Sequence, residues 1–152
     1  MLIKIKKWKL VILATLGVVL CAYLWHLDSL AELPVCPIAG CKDVLSSEYK
    51  YFLGLPVASW GFFYYLTLFS LFILRNFSKR RFLDMALFCL ICAGIVFTIY
   101  LRYVELFLIK SICIWCWGSV LIITLISILF FLENKETFKK FIKYKIKCSE
   151  VC

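Results

Sequence analysis

The chain has 152 residues, 64% of them hydrophobic and 18% aromatic, with a formal net charge of +9. Soluble domains average about 45–50% apolar residues, so this composition excludes an ordinary water-soluble fold and points to a single membrane domain over residues 1–152. The positive charge does not point to nucleic acid, because the basic residues flank apolar runs and form no groove interleaved with aromatics.

Lys4, Lys6, Lys7 and Lys9 precede an apolar run over residues 10–27. A basic start before an apolar core has the form of a secretory signal. The run is long, and Trp25-His26-Leu27-Asp28 offers no small-x-small cleavage site, so the expectation is an uncleaved first membrane helix with Cys21 as a packing thiol. Residues 28–55 form a polar-containing loop that carries Cys36-Pro37-Ile38-Ala39-Gly40-Cys41. Pro37 and Gly40 make the interval a turn, which suits a small disulfide loop. Two readings stay open for this pair: a mobile dithiol that exchanges with another pair, or a static staple. Asp43-Val44-Leu45-Ser46-Ser47-Glu48 suits a short interfacial helix, followed by the interfacial aromatics Tyr49, Tyr51 and Phe52.

The second span covers residues 56–74 and opens on Pro56, which the first helical turn tolerates. Gly61 within it allows a neighbouring helix to approach closely. A basic turn with Arg75, Lys79, Arg80 and Arg81 leads to the third span, residues 82–101, where Asp84 is expected to reach the interface or to pair with Arg80 or Arg81. Cys89-Leu90-Ile91-Cys92 falls mid-span, with no helix terminus to lower a thiol pKa, and reads as inert packing. Residues 102–110 form a short connection containing Glu105.

The fourth span, residues 111–132, has no charged residue and opens on Ser111-Ile112-Cys113-Ile114-Trp115-Cys116. Ser111 is the expected N-cap, with Cys113 in the first turn and Cys116 one turn deeper. Three-residue spacing puts both thiols on one face, and the positive end of the helix dipole favours thiolate. A basic tail follows over residues 133–152, with Lys135, Lys139, Lys140, Lys143, Lys145 and Lys147, then Cys148 and Cys152.

Four crossings bring the two termini to the same side. With both inside, fourteen of the eighteen basic residues are inside, leaving Lys42, Lys50, Arg102 and Lys110 outside. That asymmetry favours cytoplasmic termini and puts Cys36, Cys41, Cys113 and Cys116 together on the outer face, where disulfides persist. Two dithiols there can pass electron pairs by thiol–disulfide exchange. The acceptor is not obvious from ligating residues, since His26 is the sole histidine and no dinucleotide glycine motif is present. A lipid-soluble quinone held among aromatics near Cys116 fits best, with no metal. The competing reading is a non-enzymatic four-span scaffold or transporter subunit with structural disulfides. The lack of charge deep in any span argues against a transport path.

The ordered set resembles the bacterial branch of the vitamin K epoxide reductase family. The residues concerned are Cys36 and Cys41, Val44-Leu45-Ser46-Ser47-Glu48-Tyr49, Gly54-Leu55-Pro56-Val57-Ala58-Ser59-Trp60-Gly61 with Tyr65, then Glu105 and Cys113-Ile114-Trp115-Cys116. The resemblance implies an all-α integral membrane fold, a four-helix bundle around a quinone (ubiquinone or menaquinone), with an outer-face loop and a short interfacial helix. It implies that Cys113 and Cys116 are the active pair, with Cys116 nearest the quinone, and that Cys36 and Cys41 are the shuttle pair. Ser47 matches a family serine, and Val44, Leu45, Trp60, Tyr64, Leu101 and Val120 match pocket positions. It places the protein in a bacterial inner (plasma) membrane. The partner is expected to be a separate thioredoxin-like protein, because the basic tail stands where many bacterial members carry a fused domain of that kind. Val57 and Val120 stand where vertebrate members have a hydrogen-bonding Asn and Tyr, and Lys50 replaces a common glycine.

Overall fold

The computed structural model describes residues 2–30, 44, 47, 49, 51–78 and 81–149, with side chains for those between 8 and 134. Cys36, Cys41, Leu45, Cys152 and the side chain of Cys148 lie outside them, as does most of the expected interfacial helix. Four helices run up and down: α1 (Leu2–Ser29), α2 (Val57–Phe77), α3 (Arg81–Tyr103) and α4 (Ile114–Ser149). Each contains a stretch long and apolar enough to cross a bilayer, in agreement with the expected four-helix membrane bundle.

The inward faces follow helical spacing: Leu10, Ala14 and Cys21 on α1, Tyr65, Leu68 and Phe72 on α2, Leu87 and Ile91 on α3, Ile123, Ile126 and Phe130 on α4. The opposite faces are equally apolar, with Leu16, Phe63, Val96 and Leu121 exposed, as lipid contact requires. Lipid is as apolar as leucine, so close packing and internal hydrogen bonds, rather than expulsion of water, hold such helices together. Tyr65 Oη on α2 lies 3.1 Å from the Ser119 carbonyl and 3.0 Å from Ser119 Oγ on α4. Tyr64 Oη donates to the Leu90 carbonyl on α3 at 3.1 Å. Hydroxyls of Thr15, Thr67, Ser70, Thr124 and Ser127 donate to the carbonyl four residues earlier, so none meets lipid unpaired.

Far from the cysteines, Arg75 at the end of α2 joins three helices. Its Nε lies 2.7 Å from Asp84 Oδ1 on α3, its Nη1 3.4 Å from Glu133 Oε2 and its Nη2 2.9 Å from Asn134 Oδ1 on α4. The guanidinium also sits 5.2 Å from the centre of the Phe130 ring. Asp84 thus pairs with Arg75, on the preceding helix; Arg80, one of the two partners expected from the sequence, lies outside the described residues. A lysine could not span three partners in this way, because it lacks the planar fork.

At the cysteine end the loop contains a structure the sequence reading lacks. Tyr51–Phe52 (β1) and Leu55–Pro56 (β2) pair antiparallel around Leu53 and Gly54, whose φ values of 53° and 81° are the two left-handed positions of a tight hairpin turn. Pro56 therefore ends a strand and caps α2, which starts at Val57, rather than lying in its first turn. The hairpin is fastened to α2 by Trp60 Nε1, which donates to the Phe52 carbonyl at 3.0 Å.

Three helix ends also depart from expectation. α3 does not stop near residue 101 but runs to Tyr103 and continues as a π-helix over Val104–Ile109, so Arg102 and Glu105 are helical residues and not part of a loop. α4 begins at Ile114, three residues after the proposed cap. The supposed tail continues α4 as helix as far as Ser149.

Glycines mark places where a side chain of a neighbouring helix sits directly against the backbone. A Cβ on Gly61 would lie 2.8 Å from Cys21 Sγ, in keeping with the close approach expected there, and one on Gly17 would run into the Tyr65 ring. That ring cannot easily give way, being held at its hydroxyl by Ser119. By contrast a Cβ on Gly118 meets only the flexible end of Leu20, at 3.2 Å. Gly17→Ala should destabilise the bundle by about 1–3 kcal/mol through overpacking, whereas Gly118→Ala should be nearly neutral. Unfolding of the detergent-solubilised variants checks this; equal effects would mean that Tyr65 moves aside freely.

Candidate active site

The α3 continuation, the short segment after it and the head of α4 build the site together. The π-helical stretch ends at Lys110, whose left-handed backbone (φ 57°, ψ 31°) turns the chain towards α4. Cys113 then takes the N-cap position that the sequence assigned to Ser111, its carbonyl accepting from Trp117 N at 3.1 Å. Its backbone N–H donates to Glu105 Oε1 at 2.5 Å. Glu105 is 2% exposed, and its other oxygen is ion-paired with Arg102 one turn earlier. Arg102 in turn lies with its guanidinium 5.5 Å from the centre of the Trp117 ring.

The Cys113 sulfur is itself a cap. It accepts hydrogen bonds from the Cys116 thiol and from the backbone amides of Cys116 and Trp115, the second and third residues of the helix. These donors, the Cys116 thiol first, pull the Cys113 thiol down to about 7 against burial and the Glu105 carboxylate, which push it up. Near neutral pH Cys113 is therefore poised between thiol and thiolate, with the Cys116 proton directed at it.

Cys116 also lines a cavity of about 500 Å³ that opens between the four helices. Six of the residues singled out by resemblance share its wall: Val44, Ser47, Trp60, Tyr64, Leu101 and Val120. Leu45 lies outside the described residues. Ser47 keeps its place locally, its Oγ donating to the Val44 carbonyl at 2.8 Å. The wall is mainly apolar and aromatic; Phe52 packs edge-on against Phe97 at 5.7 Å.

Several wall residues carry no role in the sequence reading. By hydropathy alone Arg102 and Glu105 fall in a connection, although their three-residue spacing is that of a helical ion pair. Cys21, taken as a packing thiol, is buried and also faces the cavity, whereas the Cys89 and Cys92 thiols do not line it. Among the described residues, no cluster of three or more His, Cys, Asp and Glu side chains suits a metal ion.

The family model described as the vitamin K epoxide reductase family matches residues 8–131, a range that takes in all four membrane spans up to Phe131, the cavity wall and both cysteine pairs. With four apolar membrane helices and a dithiol at the head of the last, the chain belongs to the vitamin K epoxide reductase family and is a multi-pass membrane oxidoreductase.

Proposed function

We propose that this protein oxidises the dithiol of a separate thioredoxin-like protein and delivers the electrons to a membrane quinone, through Cys36/Cys41 and then Cys113/Cys116. The observation that carries the reading is that Cys116 opens onto the cavity while hydrogen-bonded to Cys113. A cavity of about 500 Å³ is within the range of small-molecule sites, roughly 300–1,000 Å³, and its apolar, aromatic wall suits a flat ring with an apolar tail. Trp60, Tyr64, Leu101 and Val120 would hold such a ring beside Cys116. A quinone bound there supplies a two-electron, two-proton acceptor.

The chain's own residues do the rest. A thiolate of the reduced loop pair attacks Cys113 Sγ and breaks the Cys113–Cys116 bond, leaving Cys116 to take up a proton. The second loop thiolate then closes Cys36–Cys41 and expels Cys113. A low-pKa thiol leaves a mixed disulfide faster, so the helix head that stabilises the Cys113 thiolate assists this step. Cys113 and Cys116 are then a thiolate–thiol pair, and as their Sγ–Sγ bond re-forms they give up two electrons and the Cys116 proton. In this scheme the membrane is a bacterial inner membrane, both termini are cytoplasmic, and the cysteine end of the bundle faces outward.

In a quinone-reduction assay driven by a small dithiol, Cys116→Ser should lose activity by roughly 1,000-fold or more, as expected for a residue that forms the reacting bond. Cys89→Ser and Cys92→Ser should retain nearly all of it; comparable losses from all three would reduce the thiols to packing groups. Orientation is checked separately. Cys148 should react with an impermeant maleimide only after cells are opened, and labelling of intact cells would reverse the topology.

A further inference from the structure

Any backbone carbonyl or neutral amide could accept the Cys113 N–H. The protein instead uses a carboxylate, buries it to 2% exposure and carries Arg102 beside it. This choice runs against thiolate formation, because a negative charge at a helix N-terminus offsets the positive end of the dipole that would otherwise favour Cys113 as an anion. Burying an acid–base pair gains little stability over an apolar pair of the same volume. Holding the helix head thus explains the hydrogen bond but not the charge.

We propose that Arg102 and Glu105 are a positioning pair that sets how readily the Cys113–Cys116 disulfide is reduced. Glu105 fixes the Cys113 peptide and opposes negative charge on its sulfur, while Arg102 limits that opposition. The inference rests on Cys113–Cys116 being the redox pair. Such a pair must accept electrons from one partner and still pass them to another. Too stable a thiolate would trap the reduced form, and too unstable a thiolate would refuse the electrons. A compensated carboxylate holds the pair between these limits.

Among the described residues, the charged and titratable groups around Cys113 are Cys116 on α4, Glu105 on the α3 continuation and Arg102 in the last turn of α3. Cys21 and Asp28 from α1 and Tyr49, Tyr64 and Tyr65 from the remaining elements line the same cavity, and Lys110 stands in the segment leading to α4. Of these groups, Glu105 accepts the hydrogen bond of the Cys113 backbone amide.

The sign of the effect follows from linkage. Neutralising Glu105 favours the Cys113 thiolate, which stabilises the reduced pair only at pH values where the thiol ionises, above about 7. Neutralising Arg102 leaves Glu105 uncompensated and acts oppositely. At low pH both sulfurs are protonated in every variant and the differences vanish.

The test equilibrates the full-length protein, quinone-free in detergent, with reduced and oxidised glutathione. The oxidised fraction is read by alkylation and mass spectrometry of the Cys113–Cys116 peptide. At about pH 8.5 Glu105→Gln should shift the equilibrium towards the dithiol by roughly threefold or more, corresponding to about half a pKa unit or more. Arg102→Gln should shift it the other way, and Arg102→Gln with Glu105→Gln should return to within roughly twofold of the parent. At about pH 5 all four should coincide. Since Arg102→Gln strands a buried carboxylate and could prevent folding, Glu105→Gln and the double variant suffice. A shift that is absent, the same at both pH values, or not reversed in the double variant overturns the proposal. No quinone is present, so the outcome stands apart from the activity of Cys116→Ser. If quinone reduction survives that substitution the electron route fails, whereas a flat glutathione profile removes only the role of the charge pair.

Discussion

Hydrocarbon offers no hydrogen bonds, and that constraint organises most of what this chain does with its polar groups. The hydroxyls of Thr67, Ser70 and Thr124, on lipid-exposed positions, turn back onto their own helices. The two tyrosines buried between helices find partners across interfaces, Tyr64 on α3 and Tyr65 on α4. Charges gather at the two ends of the bundle, Arg75 with Asp84 and Glu133 at one and Arg102 with Glu105 at the other. Each cluster ties helices or segments that packing alone would hold weakly, since bilayer helices gain nothing from hiding leucine from water. The Arg75 group joins three helices by side chains alone, whereas Glu105 reaches a backbone amide and so reaches the chemistry.

The two halves of the bundle divide the work. Towards Arg75, aromatic side chains fill the interior: Phe72 meets Phe130 at 6.5 Å and Phe88 meets Phe131 at 5.9 Å. Towards the cysteines, small residues such as Ala58, Gly61, Ala93, Gly94 and Ser119 line the interior and leave it open. Phe52 and Pro56 of the hairpin, with its Trp60 anchor, form part of the wall of that space. The cavity thus follows from side-chain volume along four otherwise regular helices, with one end rigidly packed and the other hollow.

Much of this was legible in the sequence. Four apolar runs gave the spans, because crossing a bilayer needs length and apolarity and little else. The Cys113–Cys116 spacing at the start of such a run marked two thiols that the structure brings into hydrogen-bond contact beside the cavity, and resemblance gave six cavity residues that the fold brings together. What was not legible is instructive. Arg102 and Glu105 ended the hydropathy of the third span, and a charge counted singly looks like a boundary. Only when the two are seen to neutralise one another does the helix continue past them. The hairpin was hidden because Leu53 adopts a left-handed conformation rare for a leucine, leaving Gly54 as the lone visible signal. The cap was misplaced because serine is the common residue for that role, whereas here a sulfur performs it.

That substitution of sulfur for oxygen at the cap links fold to chemistry. A serine at the N-cap satisfies helix amides and then does nothing further. A cysteine there satisfies the same amides best when ionised, so the energy that starts α4 is also energy that stabilises the Cys113 thiolate. When Cys113 is in a disulfide its sulfur is a weaker acceptor, and the first turn of α4 loses part of its cap. The carboxylate of Glu105 on the Cys113 N–H does not depend on the redox state of the sulfur, so it holds the peptide in place when the cap weakens. Helix start, thiol reactivity and the buried ion pair are therefore one coupled arrangement, in which the order of α4 at Cys113 would persist through the proposed cycle while the charge on its sulfur comes and goes.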